Sequence, residues 1–185
     1  MFNQFHAVGM IEFTSIAAGI EAADRMVKSA QVEPFMLKTI CPGKFVAAVY
    51  AEVASVQASI GAGLTCAKGF VVDHFVIPNI DQSVIRAISS AVESVHGAAL
   101  GIIETFSAAS SIVAADVAVK TANVDLAEVR IAMGLGGKAF CLLSGNVGPV
   151  EMAVSAGAGS AAARGLLVRK VVIPSIAPQV LRHIL

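Results

Sequence analysis

Three cysteines, four histidines and a pair of recurring lysines are the side chains of this 185-residue chain best suited to chemistry. Cys41 lies in Thr39-Ile40-Cys41-Pro42-Gly43-Lys44-Phe45, between two β-rich runs, where a Pro-Gly pair signals a hairpin turn. A thiolate there could ligate a metal. Gly43 would let backbone N–H groups approach sulfur without a Cβ in the way, and Lys44 could offset thiolate charge. The ordinary alternative is a buried structural thiol. Cys66, near the end of a small-residue segment, and Cys141, in Phe140-Cys141-Leu142-Leu143, read as core hydrophobes. An odd number of cysteines without an export signal favours free thiols or metal ligands over disulfides. His6, His74, His96 and His183 show no ligand spacing and no partnered Ser or Cys motif, so a hydrolase has no support. Gly61-Ala62-Gly63 is not followed by Gly-Lys-Ser/Thr and is no phosphate-binding loop.

The elements that must position these residues occur twice. Residues 7–33 align without a gap on residues 99–125, with fourteen of twenty-seven positions identical, among them Gly9/Gly101, Glu12/Glu104, Ser15/Ser107, Asp24/Asp116 and Lys28/Lys120. The match resumes after a two-residue insertion at Gly43-Lys44 against Gly137-Lys138, and again at Val76-Ile77-Pro78 against Val172-Ile173-Pro174. In the first copy, residues 7–13 read as a strand and Ser15 as the N-cap of a helix with Ile16, Ile20, Ala23 and Val27 on one face. Runs 35–40 and 45–51 form a predicted hairpin, followed by a helix over 53–68, a strand over 70–77 and a helix over 82–92. The expected fold is therefore α+β: two tandem ferredoxin-like domains, each β-α-β-β-α-β-α, spanning 1–94 and 95–185 and joined near 94–98, with helices on one face of a mainly antiparallel sheet. Small residues such as Ala156-Gly157-Ala158-Gly159 predict close helix packing.

Composition removes other classes. Apolar residues make up 56% of the chain and charged residues 14%; thirteen basic residues balance thirteen acidic ones. Mean hydropathy is +0.79, so disorder is excluded. Without a run of Lys or Arg there is no footprint for a nucleic-acid partner. The longest uncharged stretch, 53–67, is too short and too polar to span a membrane. Residues 1–6 lack the basic and apolar regions of a secretion signal, so a cytosolic location is expected by default. So few charges on a chain of this size imply apolar surface buried against other copies, hence an obligate oligomer.

Ala7-Val8-Gly9-Met10-Ile11-Glu12, Ala22-Ala23-Asp24-Arg25-Met26-Val27-Lys28-Ser29-Ala30 and Gly43-Lys44 resemble the signature of bacterial microcompartment shell domains, and Leu100-Gly101-Ile102-Ile103-Glu104 with Ala114-Ala115-Asp116 repeats it. The resemblance covers nearly the whole chain twice. With the Cys41 segment in the first hairpin, the chain is similar to tandem-domain shell proteins of the propanediol-utilisation type. That resemblance implies a homotrimer forming a pseudohexameric disc, tiled with other microcompartment shell proteins around an enzyme-filled interior. It implies that the hairpin loops line a central pore: Cys41, Pro42, Gly43 and Lys44 from the first copy, Gly134, Gly136 and Gly137 from the second. It further implies that Cys41 meets its two symmetry copies on the threefold axis and holds one [4Fe–4S] cluster per trimer, for electron transfer across the shell or to an encapsulated redox enzyme. Three thiolates supply three of the four usual ligands, and the fourth iron needs an outside one. A zinc ion with three thiolates and a water competes chemically. A pore that passes small polar metabolites without a cluster is the alternative function. Lys28 and Lys120 are, by the same resemblance, edge contacts between discs; on sequence alone each is equally a solvated helix end. A soluble enzyme or ligand sensor would need perturbed acid/base groups converging in a pocket, and no such pattern is visible.

Overall fold

A computed structural model describes residues 7–88, 97–131 and 134–184. The first repeat runs β1 (Ala7–Phe13), α1 (Ile16–Ser29), β2 (Glu33–Ile40), β3 (Lys44–Ala51), α2 (Val53–Cys66), β4 (Val71–Pro78) and α3 (Gln82–Ile88). The second runs β5 (Ala99–Thr105), α4 (Ala108–Thr121), β6 (Asp125–Ile131), β7 (Ala139–Gly145), α5 (Val147–Ala162), β8 (Leu167–Ile173) and α6 (Pro178–Ile184). The expected α+β order is present in both. Each repeat has a four-stranded, wholly antiparallel sheet, ordered β2-β3-β1-β4 in one and β6-β7-β5-β8 in the other. Residues 89–96 lie outside the described residues, and with them the expected end of the 82–92 helix, His96 and most of the expected join; so do residues 1–6.

One face of β1 builds the core beneath the helices of the first repeat, and its other face is buried as well. Ala7, Ile11 and Phe13 of β1 pack with Ala22 and Met26 of α1 and Ile60 of α2, all essentially buried. Burying the Ile, Phe and Met side chains contributes about 1.5–3 kcal/mol each. Gly9, opposite Val49 in the register, falls where a Cβ would lie 2.6 Å from Ile60, and Gly101 repeats this with Val154 at 2.5 Å, so both glycines let a helix settle onto the sheet. The small-residue helices do pack closely: a Cβ at Gly63 would meet Met26 at 2.7 Å, and one at Gly157 would meet the Ala114 carbonyl at 2.5 Å. Ser15 caps α1 by accepting the Ala18 N–H at 3.3 Å, and Ser107 caps α4 through the Ser110 N–H at 3.0 Å.

The repeated sequence and the compact units divide differently. One unit takes the described residues 7–80 together with loop residues 134–137; the other takes 81–88, 97–131 and 138–184. Within the second unit α3 packs on β6 and touches α4, burying Val84, Ile85, Ala87 and Ile88, and the Asp81 N–H donates to Asp116 Oδ1 at 2.9 Å. Strand-to-helix periodicity shows that α3 has an apolar face; it does not say which sheet that face will cover.

Candidate functional site

Cys41 sits at the tip of the turn joining β2 to β3, with its thiol exposed. The turn is closed by Gly43 at φ +78°, a left-handed conformation that favours glycine, and a Cβ there would meet nothing. The described loop residues 134–137, between β6 and β7, fall in the same compact unit. Gly137, at φ +88°, comes so near that a Cβ would lie 2.9 Å from Pro42 Cδ and 3.6 Å from the Cys41 carbonyl. Cys41, Pro42 and Gly137 are thus brought together, while Gly134 and Gly136 face open space.

Lys44 pairs with a carboxylate of β1. Its ammonium donates to Glu12 Oε1 at 2.8 Å, with Glu12 wholly buried and only 16% of the Lys44 side chain exposed. Lys138 pairs with Glu104 in the same way, at a wetter site. The two glutamates recur at matching positions in the aligned repeats, as do the Gly-Lys pairs, so the sequence marks both members of this cross-strand pair without stating that they touch. Lys28 and Lys120 each bond an aspartate one turn earlier, Asp24 and Asp116, at 2.7 Å. Lys28 is 71% exposed and Lys120 40%, so both remain at the surface in spite of the pairing.

The other cysteines are placed differently. Cys141 is fully buried on β7, and desolvation pushes its thiol up to about 12, against the lowering effect of its backbone hydrogen bonds. Cys66 ends α2 and leans on the first core. Neither shares a turn with Cys41. Among the described residues of one chain, no group of three His, Cys, Asp or Glu could hold a metal ion. A single exposed thiolate at a loop tip fits a cluster only as one ligand among several, so the donor set is suitable if copies of the chain supply the rest.

The two-sheet repeat and its loop define a class. Residues 7–80 and 99–176 each match the BMC domain, and the chain belongs to that family. It is 46% identical over 168 residues to the bacterial microcompartment shell protein PduT of Citrobacter freundii, covering 91% of each chain. A crystal structure of a microcompartment protein from Desulfitobacterium hafniense DCB superposes with a TM-score of 0.84 at 51% identity, over 97% of this chain and 99% of that one. The fused permuted hexameric shell protein MSM0275, at 21% identity and a TM-score of 0.64 over 84% of this chain and 81% of its own, shares the fold. This chain is therefore a tandem BMC-domain shell protein of the PduT type, a structural protein and not an enzyme. Its place is the microcompartment shell within the cytoplasm, among other shell proteins.

Proposed function

We propose that three chains close head to tail into a pseudohexameric disc, and that its centre holds an iron–sulfur cluster on the three Cys41 thiolates. The observation that carries the cluster is the exposed Cys41 at a turn tip, present once per chain and packed beside the glycine loop of the other repeat. The ring is supported by an asymmetry between the repeats. Ile16 and Ile20 of α1 are exposed, whereas their counterparts Ala108 and Ile112 of α4 are buried. Surfaces that differ in this way suit heterologous contacts, and such contacts close into rings.

When bound, a [4Fe–4S] cluster supplies a one-electron carrier at the pore. The residues set its surroundings. Cys41 supplies one thiolate ligand per chain, and Pro42 lies close to the Gly137 backbone beside it. Lys44, held by Glu12, adds no free positive charge at the tip. Electron transfer across the shell or to an encapsulated redox enzyme follows from a carrier at that position. A second reading, a plain pore for small polar metabolites, is favoured by the same Glu12–Lys44 and Glu104–Lys138 pairing, which leaves the loop bases close to neutral. Anaerobic purification and reconstitution decides between the two: iron and sulfide near one cluster per trimer, with visible absorption and an EPR signal after reduction, support the cluster. Colourless protein after reconstitution supports the plain pore. Light scattering that gives a monomer mass at micromolar concentration removes the ring.

A further inference from the structure

We propose that α6 works in trans: its apolar face docks on α1 and β2 of a second copy of this chain, and Asp24 of that copy accepts the Ala177 N–H. The inference rests on the ring reading above and names the surfaces that close it.

The template lies within the second unit. There α3 buries Val84, Ile85, Ala87 and Ile88 against β6, and Asp116 holds the chain entering that helix by accepting the Asp81 N–H through Oδ1 while Oδ2 keeps Lys120. Every part of this arrangement has a counterpart in the other half of the repeat. α6 matches α3 residue for residue from Gln82/Pro178 to Ile88/Ile184, Ala177 matches Asp81, and Asp24 matches Asp116.

In a single chain those counterparts are only partly covered. α6 has no buried residue, and Val180 is 51% exposed where its equivalent Val84 is fully buried. Leu181 and Ile184 lean on Leu100 and Leu142 of their own unit, which holds the helix near the sheet and leaves Val180 outward. Asp24 is exposed, with Oδ2 on Lys28 and no donor on Oδ1 among the described residues. The Ala177 N–H has no acceptor among the described residues. On the receiving side β2 exposes Leu37, whereas β6 buries the matching Val129. A two-turn helix is marginal alone and gains its stability from packing. The fitting occupant for each partly covered half is therefore the other half on a second copy. A contact between unlike surfaces leaves each partner with one donor face and one acceptor face, so it repeats around a ring.

The test uses the full chain in a Cys41→Ser background, with Asp24→Cys and Ala177→Cys together and each alone, under mild oxidation. An amide-to-carboxylate bond brings the two backbones within disulfide range. Non-reducing electrophoresis should show covalent dimers and trimers only in the paired variant, and peptide mapping should find the bond between positions 24 and 177. In a separate Asp24→Asn variant of the parent, hydrogen exchange at the amides of 176–184 should speed by about tenfold while light scattering still gives the ring mass. A ring by light scattering with no bond between 24 and 177, or with that bond confined to monomers, overturns the docking and leaves the ring standing. A monomer mass for the parent overturns both.

Discussion

The hairpin turns of the two repeats occupy matching places in the sheet and have opposite chemistry. In the first, Cys41-Pro42-Gly43 puts an exposed thiol at the tip; in the second, the described residues 134–137 hold three left-handed glycines around Leu135. The bases of the turns remain alike, each with a lysine pinned to a glutamate of the central strand. The two repeats have thus kept the paired base of the turn alike and let the tip diverge. One copy therefore carries an exposed thiol while the other supplies close approach, as Gly137 does against Pro42.

The largest expected effect falls on the thiol side of that contrast. Cys41→Ser should abolish iron binding after anaerobic reconstitution, because symmetry removes all three protein ligands with one substitution, while Cys66→Ser and Cys141→Ser retain full iron and sulfide. Full cluster content in Cys41→Ser would place the site elsewhere. In the folded protein at pH 8, a thiol alkylating reagent followed by mass spectrometry should modify Cys41 and spare Cys141, whose burial keeps it protonated far above that pH.

The shared bases of the turns should respond unequally. Glu12→Ala removes a carboxylate with no exposure from a lysine that is mostly buried, and should cost about 2 kcal/mol, below the ~3–5 of a fully buried pair because Lys44 keeps some contact with water. Glu104→Ala should cost under about 1 kcal/mol, since Glu104 and Lys138 are more exposed. Urea denaturation of both variants measures the difference, and equal losses would break the distinction between a dry and a wet pair. Gly137→Ala should cost about 1–2 kcal/mol through its left-handed backbone and the approach to Pro42. Gly134→Ala, with open space around it, should cost less on the same assay.

The smallest effect is expected at the surface. Lys28→Ala with Lys120→Ala should impair the packing of discs into sheets seen by electron microscopy while leaving the trimer mass unchanged. Each lysine already has an aspartate within its own helix, and exposed pairs contribute under about 1 kcal/mol, so single substitutions should show little. Intact sheets in the double variant would make both ordinary surface lysines.

Much of this organisation is written in local sequence. The apolar strand character of residues 7–13, the Ser15 cap and the Pro-Gly turn are set by neighbours a few positions apart, and they appear in the structure at the expected bounds or within one or two residues of them. Cys141 was legible as core because apolar residues surround it along the strand. Pairings across strands were harder to read. Lys44 and Glu12 are thirty-two positions apart, and a repeat alignment marks both without stating that they touch. The covering of helix faces was harder still: α3 and α6 carry similar apolar patterns, yet one is buried and the other exposed, because burial depends on which surface lies opposite.

Gly9 and Gly101 have a consequence for transport. Without side chains at these strand positions, α2 and α5 sink toward their sheets, so on that face of each sheet the strand layer and the helix layer are drawn tightly together. Diffusive resistance of a channel grows in proportion to its length. In the proposed disc, a wall built from such layers would present a short passage, its throughput governed by the width of the opening at the loops far more than by the distance to be crossed.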